Sequence, residues 1–545
     1  MARVDPLEPV HAYHDRSKHR PDRLARSLGY LDWATQPAPF RSYAPAERIP
    51  LLPALPRATV GPRATWDALG HLPPPAPLTL ASLSDLFRHA LGLSAWKQFR
   101  ETRWALRVNP SSGNLHPTEA YLVAGPLDGA CESPAVYHYA PDDHAFERRA
   151  VFAAEAWEAS GEDSRETCFI VLSSIHWREA WKYGERAFRY CQHDLGHAMA
   201  ALAIAAAGLG WHVELMPEWA SGPVGQLAGL DRDDERGAAE PEEPGCLLRV
   251  GRQRRGVLAR GDSQRFAAAV AAGQWFGRPS QLSPERIDWP AVDDVAEATR
   301  AGVQGATTTD PGGWAVIDAR LSHDRGVDLR GLVLQRRSAQ AFDPTGRVPL
   351  MEFERLLART LHTEMAPWSS AWWSPRVHLA VFVHQVTGLD AGLYLLPRDS
   401  SAIERLERAC AREFAWKPAG LRVPLLALAS GDARVMARRL SCDQDIAGDS
   451  AFTLGMIAEF DRSLEEFGPT FYRHLFWEAG LIGQALYLEA EAAGLRGTGI
   501  GCYYDDAVHE ALGVDTKAVQ SLYHFTVGVP KEDQRLRTEP GYSGQ

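Results

Sequence analysis

Four short strings in this chain carry side chains that could do chemistry. Pro110-Ser111-Ser112-Gly113-Asn114 sets two hydroxyls and an amide around a glycine, and by itself reads as a turn. Arg336-Arg337-Ser338, with Gln340 two residues on, reads by itself as an exposed basic helix start. Gly497-Thr498-Gly499-Ile500-Gly501 follows a helical stretch and not a strand, so it lacks the context of a dinucleotide-binding glycine fingerprint. Tyr503 and Tyr504 lie just beyond it, where a phenol could donate a proton to a substrate or simply pack with its hydroxyl at the surface. The fourth string, His193-Asp194-Leu195-Gly196-His197, puts two imidazoles one helical turn apart, as a zinc-dependent hydrolase would. That chemistry also needs a third ligand and a glutamate base, and Asp194 is the shorter acid.

The elements that must hold these strings repeat. Tyr183-Gly184, Arg189, Asp194 and Gly196 precede an alanine-rich helix that runs out at Gly208-Leu209-Gly210. Phe467-Gly468, Arg473, Glu478 and Gly480 precede a second such helix, ending at Ala493-Gly494. Small residues three and four apart let one helix approach another closely, and the terminal glycines suit left-handed caps. The repeat aligns Asp194 with Glu478, which favours a helix-cap or ion-pair role for the acid over a metal site. Tyr183, Arg186 and Arg189 form a ladder on the first helix and read as mostly structural. Upstream, Pro110–Asn114 precedes the strand-like Ala120–Val123, and Trp368-Ser369-Ser370-Ala371-Trp372 precedes Val377–Phe382. A fused ancestral homodimer leaves this trace, because a two-fold interface holds two copies of every element.

At 545 residues the chain exceeds a single core, and its 45% hydrophobic and 23% charged residues are ordinary for a globular protein. A net charge of −11 argues against nucleic acid as a partner; the basic run Arg252–Arg260 reads as a solvated loop. The seven cysteines are scattered, with no C-x-x-C pair, as in a reducing compartment. Nothing resembles a signal peptide, and the apolar run Ala198–Trp211 is too short to span a bilayer, so the reading is cytoplasmic with no membrane partner. Asp231–Gly245 and Gly277–Gly313 read as poorly ordered connectors. The expected division is a first unit over 1–275, a linker over 276–322 and a second unit over 323–545.

Taken in order, the strings resemble the nitroreductase family: Leu334–Asp343 its R-x-S opening helix, Pro110–Asn114 its P-S-S-x-N loop, Ala492–Gly501 its glycine loop, and Val527–Pro530 with Arg535 its last strand and phosphate-binding arginine. Tyr13-His14, Ser17-Lys18 and the string PSSGNLHPTE are closer to the SagB/ThcOx branch, which includes oxidases of azoline rings. The resemblance implies an α+β fold of two nitroreductase-like domains forming an intramolecular pseudo-dimer, mostly antiparallel sheet flanked by helices. It implies an FMN-dependent oxidoreductase passing hydride through flavin N5, with NAD(P)H as a transient donor. The substrate is a small molecule or modified peptide, and further self-association stays open. One FMN would sit between the halves, held by Arg336, Arg337, Ser338, Gln340, Gly497, Thr498, Gly499, Ile500, Gly501 and Arg535 from the second, and by Pro110, Ser111, Ser112 and Asn114 from the first. Paired arginines and a hydroxyl suit a phosphate dianion. The glycines would let the backbone approach the ring and donate N–H groups to it. Tyr503 and Tyr504 are the candidate proton donors. Gln340 stands where the family has Lys or Arg, and supplies hydrogen bonds without charge.

The mirror-image site would use Arg16-Ser17-Lys18, the segment after Gly210, and Ser369–Trp372. It reads as broken, because Trp372 stands in for Asn114 and no repeated glycines follow Gly210. Trp368, Trp372 and Trp373 are expected to plug it. The alternative is a flavin-free, vestigial scaffold serving a biosynthetic complex.

Overall fold

The structure, a computed structural model, describes residues 5–51, 64–254, 260–302, 315–514 and 518–542. Residues 255–259 of the basic run and 303–314 of the second connector lie outside the described residues. The fold is α+β and is built twice. In the first half, strands β1 (Thr118–Ala124), β2 (Ala135–Ala140), β3 (Ala145–Val151), β4 (Thr167–Ser174), β5 (His212–Leu215) and β6 (Glu243–Gly251) line up in the order β3-β2-β1-β4-β6-β5. In the second, β7 (Val377–Val383), β8 (Gly392–Leu396), β9 (Leu426–Ser430), β10 (Phe452–Glu459), β11 (Arg496–Ile500) and β12 (Val519–Gly528) take the same order, β9-β8-β7-β10-β12-β11. All these pairings are antiparallel, with Leu122 opposite Ile170 in one sheet and Ala380 opposite Gly455 in the other.

The alternation of side chains along each strand sorts the core. On one face, Leu122, Ile170, Leu172, Leu379, Leu454 and Met456 join a single cluster shared by both halves. On the other, Tyr121, Val123, Phe169 and Val171 build a private cluster for the first half, and Ala380, Phe382 and Ile457 one for the second. The shared cluster is organised by two 22-residue helices, α1 (Ala187–Gly208) and α2 (Phe471–Ala492), which cross backbone to backbone. A Cβ on Gly196 would come within 2.3 Å of the Trp477 carbonyl oxygen, and one on Gly480 within 2.4 Å of the His193 carbonyl oxygen. Only a residue without a side chain permits that contact on each helix, and the two equivalent glycines mark the pseudo-two-fold axis. Gly210 and Gly494 follow the helix ends with φ of 74° and 71°.

Each end of the chain reaches across the axis. The helix Glu8–Arg16 sets His14 against Tyr472 and Gln520, and Lys18 pairs with Asp506 at 3.0 Å. The strand Arg537–Pro540 adds to the first-half hairpin Leu93–Phe99 and Thr102–Arg107.

Three sequence expectations are corrected here. The acidic stretch 231–245 is anchored by Glu240, a buried carboxylate that accepts the N–H groups of Leu282 and Ser283, and its last residues open β6. Residues 290–298 of the second connector form a helix whose Val292 and Val295 are buried. Apolar residues three and four apart, Val292, Val295 and Ala296, hidden by the surrounding Pro, Gly and Asp, carry that helix. Finally, Arg336-Arg337-Ser338 does not open a helix. The helix Leu329–Gln335 ends there, and the triplet is extended, bridging in parallel to Gly497 with Ala339 N–H donating to the Gly497 carbonyl at 3.0 Å.

Candidate functional site

One cavity of about 420 Å³ gathers the strings from both halves. Pro110, Ser111, Ser112 and Asn114 come from the first half; Arg336, Arg337, Ser338, Gln340, Thr498, Gly499, Ile500 and Gly501 from the second. The first-half loop is a short 3-10 turn whose Gly113 and Asn114 both take positive φ, at 59° and 60°. Ser111 Oγ accepts the His116 N–H, and Asn114 Nδ2 donates to the Ala105 carbonyl. Asp194 on α1 holds the loop by accepting from Ser112 N–H and Oγ at 3.1 and 3.2 Å. Burial pushes the Asp194 carboxyl up to about 7, and its Ser111 and Ser112 hydrogen bonds offset this only in part.

The opposite wall is basic. Lys97, Arg107, Arg336, Arg337, Arg496 and Lys531 line the cavity, against two carboxylates, Asp194 and Glu532. Arg336 is buried, with its guanidinium over the Tyr487 ring at 4.9 Å and Nη2 donating to the carbonyls of Arg107 and Val108. Its Nε has no hydrogen-bond partner. Burial, then the neighbouring Arg336, pulls Arg337 down to about 10; burial, then Arg337, lowers Lys97. A cluster of crowded cations with an unpartnered buried donor is electrostatically complementary to an anion.

Tyr487, on α2, connects the two parts of this wall. Its Oη accepts from Gly499 N–H at 2.9 Å and from Ser338 Oγ at 3.0 Å, which leaves its own proton for the cavity. The glycines of β11 therefore act differently from expectation. The Gly499 N–H is engaged by Tyr487, and a Cβ on Gly499 would lie 1.9 Å from Tyr523 Oη, one on Gly501 2.0 Å from a Tyr190 ring carbon. These residues are glycine because tyrosines pack beneath the strand. Gly497 lies outside the cavity lining; its role is to tether the Arg336–Ala339 segment.

Three further assignments are corrected. Arg535 is outside the cavity lining; it lies on an exposed turn, paired with its neighbour Asp533 at 2.7 Å. Arg496 and Lys531 stand on the cavity wall instead. Tyr503 is fully buried and donates to the Ser521 carbonyl at 3.0 Å, and burial raises its pKa. Tyr504 points away to Asp443. The phenols that do line the cavity are Tyr183, Tyr190, Tyr487 and Tyr523. His193 stacks on Tyr523 with centroids 4.2 Å apart, behind the cavity lining, and His197, which does line it, has Nε2 3.3 Å from Tyr523 Oη. Burial pulls His197 down to about 3, keeping it neutral.

The mirror position is different. Arg16, Ser17 and Lys18 are engaged elsewhere, by Glu185, Arg186 and Asp506. Trp368 and Trp373 are buried and Trp372 half-buried, but they do not fill the volume. Their loop lies across β5 between cavities of about 740 and 680 Å³. Trp372, Leu215, Met216, Leu247, Phe467 and Trp477 are among the walls of the larger, and Ala203, Ala207, His212 and Ser369 among those of the smaller.

The sequence profile of the nitroreductase family matches residues 75–252 and 333–529, more than half of the chain and once in each half. A protein of Methanocaldococcus jannaschii named as a nitroreductase is 28% identical over 142 residues, which span 25% of this chain and 66% of that relative. A crystal structure from Anabaena variabilis, also named as a nitroreductase, superposes over 96% of this chain and 99% of its own, with a TM-score of 0.69 at 22% identity. That likeness extends the fold, including the doubled arrangement, to nearly the whole chain. Among the described residues, no helix is long and apolar enough to cross a membrane.

Proposed function

The chain belongs to the nitroreductase family, and from that membership we propose that it is an oxidoreductase that uses FMN, one per chain, in the cavity between Pro110–Asn114 and Arg336–Gln340. The observation that carries this reading is the basic wall: a buried Arg336 with an unpartnered Nε beside Arg337, Lys97 and Arg496 fits a phosphate. When bound, the flavin supplies two-electron chemistry at N5. Arg336, Arg337 and Ser338 hold its phosphate, and Ser111, Ser112 and Asn114 line the edge contributed by the first half. Tyr487 Oη, already accepting two hydrogen bonds, directs its proton to the bound group or substrate. Gln340 would add hydrogen bonds to the bound group without charge. NAD(P)H is the proposed transient donor. The string PSSGNLHPTE supports placement in the SagB/ThcOx branch and, with it, dehydrogenation of a modified peptide or small heterocycle.

The test is direct. Protein purified from an FMN-supplemented expression should be yellow and release one FMN per chain on denaturation. Colourless protein that cannot be reconstituted removes the flavin reading, and two flavins per chain remove the single-site reading.

A further inference from the structure

Two cysteines sixty positions apart meet at the edge of the cavity. Cys442 and Cys502 have sulfurs 2.6 Å apart, and both side chains are half-buried. Cys502 lines the cavity one residue beyond Gly501, and Gln444, two residues beyond Cys442, lines it too. The turn that presents Cys442 is an unusual one. Cys442 and Asp443 both take the left-handed conformation, with φ of 54° and 57°, which side-chain-bearing residues adopt only when their surroundings force it. Those surroundings are on hand: Ser441 Oγ bonds His524 Nδ1, Gln444 Nε2 donates to the Cys502 carbonyl, and Tyr504 donates to Asp443.

The two sulfurs are not equivalent. His19 Nδ1 accepts the Ala25 N–H at 2.8 Å, so its proton sits on Nε2, and its side chain hydrogen-bonds Cys502. Arg186, donating to the Gly501 carbonyl and to Asp505, adds positive charge behind the same sulfur. The hydrogen bond with Cys442, then His19 and Arg186, favour the Cys502 thiolate, while Cys442 is held as a thiol. Four of the other cysteines, Cys168, Cys191, Cys246 and Cys410, are buried. In the first half Glu218 falls at the position of Cys502, so the pair has no counterpart on the mirror side.

We propose that Cys442 and Cys502 are a thiol–disulfide exchange site that reduces low-molecular-weight disulfides and closes to an intramolecular disulfide. The Cys502 thiolate attacks one sulfur of the small disulfide RSSR, whose S–S bond breaks to release RSH after proton uptake. The Cys442 thiol then gives up its proton and attacks Cys502 Sγ, forming the Cys442–Cys502 bond and releasing the second RSH. The protein loses two electrons and the Cys442 proton, solvent supplies the other proton, and one RSSR becomes two RSH. The oxidised form ties the 441–444 turn to the strand wall of the cavity. The site stands whether or not a flavin is bound.

Full-length protein exposed to oxidised glutathione, acid-quenched, alkylated and digested, is expected to yield a linked peptide containing Cys442 and Cys502 that dithiothreitol releases. In Cys442→Ser the glutathione adduct should persist on Cys502; in Cys502→Ser, Cys442 should stay unmodified. At pH 6, Cys502 should react roughly tenfold or more faster than the half-buried Cys131. Wild-type protein in which both cysteines remain fully alkylatable overturns the proposal without recourse to any variant, as does an adduct on Cys442 in place of Cys502.

Discussion

The two sides of the pseudo-two-fold axis share a scaffold and diverge in a few side chains. On the Pro110–Asn114 side a carboxylate, Asp194, holds the loop by its serine N–H and hydroxyl. On the other side Glu478, its repeat partner, accepts from Trp373 and from the N–H groups of Arg376 and Val377, and pairs with the buried Arg398. One acid thus organises a polar turn and its counterpart a tryptophan loop. Tyr487 has Ala203 as its counterpart, and Gly499 in the strand register has Leu215. Six basic side chains line the first cavity; Arg300 and Arg473, balanced by Glu465 and Glu466, line the larger mirror cavity. In a homodimer every substitution is made twice, so both sites must stay competent. A single chain carrying both halves is free of that constraint, and the crowd of basic side chains lines the cavity on one side only.

This asymmetry can be broken at several points. The largest effect is expected from Arg336→Gln with Arg337→Gln. Two charge-assisted contacts at about 1.5–3 kcal/mol each should weaken FMN binding by roughly a hundredfold or more in a fluorescence titration. Arg254→Gln, beside the smaller mirror cavity, should leave it unchanged, and equal losses would end the distinction between the two sides. Next comes Gly499→Val. With a Cβ only 1.9 Å from Tyr523 Oη, the strand must shift, at a cost of about 1–3 kcal/mol visible as a lower unfolding midpoint, whereas Leu215→Val, at the mirror position that already holds a side chain, should cost about 1 kcal/mol or less.

How far the site could be read from the residue string follows from these particulars. The loop Pro110–Asn114 and the triplet at 336–338 were legible because each is contiguous, and the repeat showed that they belong to opposite halves. Tyr487, Tyr523 and Asp194 were not assigned to the cavity, because an aromatic or acid on a buried helix or strand looks like core until its neighbours are known. Arg535 misled for the converse reason: proximity to the last strand suggested a phosphate ligand, but a two-residue link to Asp533 satisfies its charge locally. The cysteine pair was invisible because contacts across sixty residues leave no spacing pattern.

Smaller effects sharpen the comparison. Tyr487→Phe leaves Gly499 N–H and Ser338 Oγ without their acceptor, and should weaken FMN about five- to tenfold, on the order of 1 kcal/mol. Ala203→Tyr should not create a second flavin site, because Arg16 and Lys18, at the mirror of the triplet, are already engaged by Glu185 and Asp506. The subtlest change is in pH dependence. Asp194 is raised from 3.8 to about 7 on folding, so its contribution to stability is complete below about pH 4 and is lost as pH rises through 7. Asp194→Asn should flatten that part of the profile in thermal unfolding, and a wild-type profile already flat between pH 4 and 7 would show that the buried acid is not the group responsible.

The glycine crossing of α1 and α2 has a consequence during synthesis. Gly480 follows Gly196 by 284 residues, which at ribosomal rates of about 5–20 residues per second is an interval of roughly 15–60 s. Through that time α1, nearly all of whose residues end up buried, lacks its partner. Two nascent chains on one messenger therefore meet with the same helix uncovered, and the tether to a later copy must outcompete a neighbour's first half by sheer local concentration.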